Sequence, residues 1–246
     1  MSEASNLSLV ESFTRYFSVE IARTTEQKAL VYGVRFRVYC EEFNYEAVDK
    51  FPQRLETDEY DEFSRHCLIM HRASGRPAGC VRLVPATLVS GARLLLPLEK
   101  HCGPSLDVER LQALNLKREQ QCEISRLAVD TAFRRRTGES LTRFGEINGL
   151  HFSAQERRTF SLIAVACFLA ATAMTKMDDR TQVFAMMEPF LPRMMQRSGI
   201  VFQRIGTDMD YHGIRAPYFI TTQSALDSMQ LELKELYEWI QKSLIT

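Results

Sequence analysis

The chemistry-bearing residues of this chain centre on a carboxylate and a guanidinium three positions apart, Glu123 and Arg126, in the run Glu123-Ile124-Ser125-Arg126. Glu123 is a candidate general base, able to take a proton directly or through one water. In a regular strand side chains alternate with period 2, so the two charges face opposite sides. They serve one site only if a bulge breaks the alternation. Backbone N–H groups released by such a bulge, near Arg126–Val129, are candidates to hold a developing oxyanion. Downstream, Arg134, Arg135 and Gly138 precede what reads as a helix start. Free N–H groups beside arginines make an anion site suited to a phosphate. A basic surface turn followed by a helix cap fits the same spacing.

The other candidates are scattered along the chain: Arg35, Asp58, Asp61, Arg82, His212 and Arg215. His212 reads as a hydrogen-bonded turn residue beside Gly213 rather than a proton shuttle. The five histidines show no metal-ligand spacing and the six cysteines no CxxC pair, so no metal site is expected. Singly placed cysteines in apolar surroundings read as free thiols of a reducing compartment. With no signal-peptide pattern in the first twenty residues, the expected location is cytoplasmic. The apolar run 162–174 is shorter than the roughly 20 residues a membrane span takes. With 31 basic and 31 acidic residues the formal net charge is zero, which removes the electrostatic case for nucleic-acid binding. Arginines outnumber lysines, which suits either an anionic substrate or a mere codon bias.

The elements that must position these residues are readable from periodicity. Residues 16–23 alternate as a half-buried strand. Thr24 and Gln27 have capping-box spacing, opening a helix that carries Leu30, Val34 and Val38. An acidic segment spans 56–62. Strands at 66–72 and 78–84 flank a hairpin turn with Gly75 and Pro77. Residues 86–121 read as an irregular Leu/Pro-rich cover for one end of the sheet. A strand at 122–129, a polar insertion at 139–158, a buried helix at 159–177 and a strand at 181–187 follow. A Pro-punctuated helix, strands near 200–205 and 216–221, and a C-terminal helix at 223–244 complete the chain. The order describes one α/β domain over 1–246 with a mixed sheet.

Several fragments in order carry a family resemblance: Arg35-Phe36-Arg37-Val38-Tyr39, Tyr45, Asp58 with Asp61, Gly79-Cys80-Val81-Arg82-Leu83-Val84-Pro85, and Glu123-Ile124-Ser125-Arg126-Leu127-Ala128-Val129. Over roughly residues 20–135 the set resembles the acyl-homoserine-lactone (autoinducer) synthases. That resemblance implies a GNAT-like fold, a three-layer α/β/α sandwich around a central mixed, mostly antiparallel sheet. It also implies transfer of an acyl group from acyl carrier protein to an amine. Tyr39 and Tyr45 stand where the signalling enzymes usually carry Phe and Trp. The second half, with Met187-Glu188-Pro189-Phe190-Leu191-Pro192-Arg193 and Tyr211-His212-Gly213-Ile214-Arg215, looks more like a sister branch. That branch holds the long-chain N-acyl amino acid synthases and the acyltransferases associated with PEP-CTERM/exosortase systems. These departures favour a free amino acid over S-adenosylmethionine as acceptor.

The implied roles follow. Glu123, Arg126 and Arg82 form the catalytic set, with Glu123 the base. Arg35, Tyr39, Tyr45, Asp58, Asp61 and Arg215 face the acceptor, with Arg215, or else Arg82, clamping its carboxylate. Leu127, Val129, Arg134, Arg135 and Gly138 hold the donor, an acyl-phosphopantetheine thioester on acyl carrier protein rather than on coenzyme A. No cofactor is permanently bound, and the lipid product allows a peripheral membrane contact. Four alternatives stay open. Arg35, Asp58, Asp61, Arg82, Glu123 and Arg126 could instead be a structural ion-pair network. The aromatics at 36–45 and the Met/Phe segments 160–174 and 184–195 could be core rather than substrate wall or acyl tunnel. The whole chain could be a homoserine-lactone synthase using S-adenosylmethionine, or a non-catalytic acyl-binding scaffold.

Overall fold

The computed structural model describes residues 7–134, 156 and 159–245. Arg135, Gly138 and the expected insertion at 139–158, apart from Glu156, lie outside the described residues. Helix α1, Leu9–Thr14, is opened by Ser8 and Glu11 in a capping box, and strand β1 is Phe17–Ile21. The Thr24–Gln27 capping box opens α2, Thr25–Arg35, as its spacing predicts. The expected continuous helix does not persist. From Phe36 to Glu42 it widens into a π-helical turn, in which the Phe43 N–H bonds the Val38 carbonyl five residues back.

Strands β2, Arg65–His71, and β3, Arg76–Pro85, form the predicted hairpin. Gly75, at the turn, takes φ +63°. The 86–121 segment is more regular than expected, carrying α3, Pro97–Cys102, and α4, Val108–Ala113. Strand β4, Gln121–Val129, leads towards α5, Ser161–Met177, and β5, Gln182–Met187. Helix α6, Phe190–Gln196, precedes two short strands, β6 at Gln203–Arg204 and β7 at Met209–Asp210. Strand β8, Ile214–Thr221, follows. The expected single C-terminal helix is two: α7, Thr222–Ser228, and α8, Leu231–Ile245. Met229 takes an extended conformation between them and buries its side chain, so packing overrides the continuous apolar period.

The strands form one sheet in the order β1-β2-β3-β4-β5-β8-β6, with β7 on β8. Every pair is antiparallel except β4–β5, whose parallel ladder needs the long crossover that contains α5. The sheet is therefore mixed and mostly antiparallel, with helices on both faces. One face (Cys67, Ile69, Val81, Leu83, Cys122, Val183) packs against α1, α5 and α8. The other is shared: α2 covers Leu68, Cys80 and Ala128, and the Leu-rich 86–121 segment covers Val84, Phe184 and Phe219. Helix α5 is apolar nearly all round, as a helix enclosed by sheet and neighbouring helices must be.

Helix α5 crosses β3 at Gly79, where a Cβ would lie 2.9 Å from Ile163 Cγ2 and 3.1 Å from the Ala128 carbonyl. Closing that approach with a branched side chain forces helix and sheet apart. Gly79→Val should therefore lose about 1–3 kcal/mol of stability, read as a lower urea midpoint at unchanged slope.

Candidate active site

The site grows from an irregularity in β4. Arg82 on β3 pairs with Ser125, and Cys80 with Ala128, so Val81 alone faces both Arg126 and Leu127. This is a β-bulge, and Arg126 takes it up with φ +52°, a left-handed backbone disfavoured for a side chain of this size. The Tyr39 hydroxyl, carried on the π-helical turn, donates to the bulge carbonyl of Leu127 at 2.9 Å. The Arg126 guanidinium lies over the same Tyr39 ring, 5.6 Å from its centroid. With the alternation broken, Glu123 and Arg126 line one cleft. On its other edge β4 pairs with β5 only through Gln121–Glu123 against Gln182–Phe184, after which the two strands separate.

Behind the cleft lies a charge network of three guanidiniums and three carboxylates. Arg35 is fully buried, pairing with Glu56 and, at 2.6 Å, with Asp61. Arg82, also buried, reaches Asp58 at 2.5 Å, Asp61 at 2.8 Å and the Ser125 hydroxyl at 3.2 Å. Arg126 closes the set on Glu56 at 3.2 Å and Asp58 at 3.0 Å. Burial works against ionisation of Asp61, but Arg35 and Arg82 outweigh it and hold the carboxyl well below the usual range. Asp58 is likewise lowered: burial opposes, while Arg82 and then Arg126 prevail. His66 sits under Asp61 with its pKa pushed down to about 4 by burial, which keeps the ring neutral near pH 7.

Glu123 stands outside this balance. It is 3% exposed and accepts the Leu98 backbone N–H at 2.7 Å. Burial pushes its pKa up to about 8, against the Leu98 hydrogen bond and the more distant Arg82 and Arg126. The cleft beside it encloses about 50 Å³ and is walled by Tyr39, Tyr45, Leu98, Met186, Tyr211 and Arg215. Arg215 lies over the Tyr45 ring at 5.6 Å, and its buried Nε has no hydrogen-bond partner among the described residues. His212, at φ +56°, packs with tilted rings against Tyr45 and Tyr211, centroids 5.0 and 4.9 Å apart. Its ring Nε2 lies 3.7 Å from Glu46.

Of the residues expected from sequence, the fold brings Glu123, Arg126, Tyr39, Tyr45 and Arg215 to one cleft. Arg35, Asp58, Asp61 and Arg82 do not line it; they form the network behind it. Leu127 and Val129 belong to β4 and pack with the core. Arg134 lies past the end of β4, donating to the Val129 carbonyl at 2.7 Å, pairing with Glu42 and covering the Phe43 ring. Sequence reasoning missed Glu56, Tyr211 and the Leu98 amide. Glu56 opens the acidic segment and Tyr211 adjoins His212, but nothing in their spacing marks them.

Residues 34–143 match the family model described as Acetyltransferase (GNAT) domain. The matched stretch holds the β2–β3 hairpin and β4 with its bulge. No curated protein sequence matches the chain. Among solved structures, TofI in a ternary complex with an inhibitor and MTA aligns with TM-score 0.58 at 20% identity, over 89% of this chain and 99% of that one. BjaI, described as a CoA-dependent acyl-homoserine lactone synthase with SAM and isopentyl-CoA, aligns at 0.57 and 17% identity, over 91% and 89%. FeeM, an N-acyl amino acid synthase from uncultured soil microbes, aligns at 0.54 and 11% identity, over 88% and 96%. At such identities these likenesses establish the shared fold. The match to an acetyltransferase domain identifies an acyltransferase.

Removing one member of the buried network leaves its partners charged and unpaired. Arg35→Met should cost roughly 3–5 kcal/mol at pH 7 in urea unfolding. Because Asp58 and Asp61 have depressed folded pKa values, the stability they contribute is present above about pH 4. It is lost as pH falls through the lower folded values. Wild-type stability should therefore fall steeply below about pH 4, and Asp61→Asn should flatten that acid limb; an unchanged limb would remove Asp61 from the account.

Proposed function

We propose that this acyltransferase moves a long-chain acyl group from the phosphopantetheine thioester of acyl carrier protein to the amine of a free amino acid. The observation that carries the reading is Glu123, buried in a cleft with its pKa raised, opposite an Arg215 guanidinium with an unpartnered Nε. A base of pKa near 8 is matched to an ammonium nucleophile near neutral pH. Arg215 can bind the acceptor carboxylate in a bidentate pair, and Tyr45 beneath it supplies a flat wall.

Glu123 takes a proton from the ammonium, directly or through one water, and the free amine attacks the thioester carbonyl. The C–N bond forms as the carbonyl oxygen becomes an oxyanion. Backbone N–H groups released by the Arg126–Val129 bulge are the proposed donors that hold it. The C–S bond then breaks, the carbonyl reforms, and the departing pantetheine thiolate takes up the proton that the attacking nitrogen loses, leaving an amide and a thiol, while Glu123 returns its own proton to water. Arg126 is fixed by Glu56 and Asp58, so its part is to hold the bulge and its field rather than to exchange protons. Arg134, with Arg135 and Gly138, is the proposed phosphate contact. The Met/Phe-rich β5 contributes Met186 to the cleft as an acyl contact.

Carrier protein is favoured over coenzyme A as donor because Ser140 stands where the phosphate-loop pattern usually has Gly or Ala. The tyrosines at 39 and 45 favour an amino acid over S-adenosylmethionine. Six cysteines, all unpaired and buried, support a reducing, cytoplasmic setting, with peripheral membrane contact through the lipid product. No helix among the described residues is long and apolar enough to cross a membrane. The continuous sheet supports reading 1–246 as one domain.

Incubation with palmitoyl-carrier protein and a pool of amino acids should yield N-palmitoyl amino acids by mass spectrometry. Transfer to no amine sinks the proposal, and a lactone from S-adenosylmethionine replaces it with the homoserine-lactone reading. Glu123→Gln should lower kcat by at least about 100-fold. The wild-type rate should rise with pH and level off above about 8, as the base loses its proton. Arg215→Ala should raise the acceptor KM roughly 10- to 100-fold with little change in donor KM.

A further inference from the structure

Two spaces of different size meet at Leu98. The cleft beside Glu123 encloses about 50 Å³, whereas a cavity on the other side of Leu98 encloses about 450 Å³. Only the second falls within the roughly 300–1,000 Å³ typical of small-molecule sites. The Leu-rich 86–121 segment builds it over β5. Leu96, Leu98 and Phe184 are buried and form its floor, and the partly buried Leu111 and Leu116 form its wall.

Its charges do not cancel. Glu99 and Arg118 pair with each other through two contacts of 2.6 and 2.7 Å. Arg93 is the remaining charged residue of the lining, exposed like Gln112, with no ion pair among the described residues. An apolar floor under one uncompensated guanidinium selects an amphiphile with an anionic head. The volume is too small for a two-chain lipid but suits one alkyl chain.

We propose that this cavity binds a single-chain fatty carboxylate, its tail against the leucines and its head on Arg93, at a site separate from the Glu123 cleft. Leu98 joins the two. Its side chain lines both spaces and its backbone N–H holds Glu123, so an occupant is felt at the proposed base. The binding site itself does not depend on the acyl-transfer reading, because it is defined by its own lining and charge.

Calorimetry with dodecanoate below its micelle concentration should show saturable one-to-one binding to the full chain. Dodecyltrimethylammonium, with the same tail and opposite charge, should bind at least tenfold more weakly. Arg93→Glu should weaken dodecanoate at least fivefold. Gln112→Trp, at an exposed position of α4, should block the mouth and weaken it at least tenfold. Arg215→Ala, in the other cleft, should leave it within twofold. Absence of saturable binding overturns the proposal. So does wild-type affinity in both Arg93→Glu and Gln112→Trp, and so does loss of binding in Arg215→Ala, which would relocate the ligand to the Glu123 cleft.

Discussion

The left-handed backbone at Arg126 is the constraint on which the site depends. Without the extra residue in β4, Glu123 and Arg126 would point to opposite faces, and the ladder to β3 would run on unbroken. A non-glycine residue in this conformation persists only when its surroundings over-determine it. Four contacts do so here. Glu56 and Asp58 draw the guanidinium to the α2 side, the Tyr39 ring lies beneath it, and the Tyr39 hydroxyl takes the Leu127 carbonyl. The π-helical turn belongs to the same arrangement, since it sets the register from which Tyr39 reaches the bulge.

The charge network explains how Glu123 can remain uncompensated near Arg82 and Arg126. Arg35, Arg82 and Arg126 are matched by Glu56, Asp58 and Asp61, and these contacts of 3.2 Å or less absorb most of the positive field. What reaches Glu123 is the residue of a nearly neutral cluster, and it is weaker than the desolvation of a buried carboxylate. Two carboxylate environments thus coexist in one fold. One ionises readily to hold structure, and the other gives up its proton only near pH 8. Separation of this kind is how a site assigns a base at working pH.

What was legible in the sequence was local. The Thr24–Gln27 box, the hairpin about Gly75, the apolar α5 and the alternating β strands are each written in a few neighbouring residues. The bulge was legible only as a condition, because Glu123 and Arg126 at three-residue spacing demand one if they are to meet. Non-local causes stayed hidden. The π-turn answers to the partner of Tyr39, and the break at Met229 answers to a core position, and neither leaves a signature in its own window. Arg82 shows the same limit for function. Its motif suggested catalysis, yet its depth beneath Tyr60 and its two aspartates make it an internal tie.

The excess of arginine over lysine, neutral as composition, has a structural use in the fold. Arg35 and Arg82 each bridge two carboxylates from a buried position, which a planar fork can do and a single ammonium does less well. Arg118 holds Glu99, Gln121 and the Leu94 carbonyl. Arg180 holds Thr87 through both its hydroxyl and its carbonyl, and also the Glu119 carbonyl. These last two fasten the 86–121 segment to the sheet at both ends, and that segment supplies Leu98. A guanidinium tie is short and directional, so the segment can carry the Leu98 hydrogen bond to Glu123 without being part of the sheet. The same anchoring leaves the leucines between the ties to form a cavity instead of collapsing onto β5. The position of Glu123 and the space behind it are consequences of one set of arginine clamps.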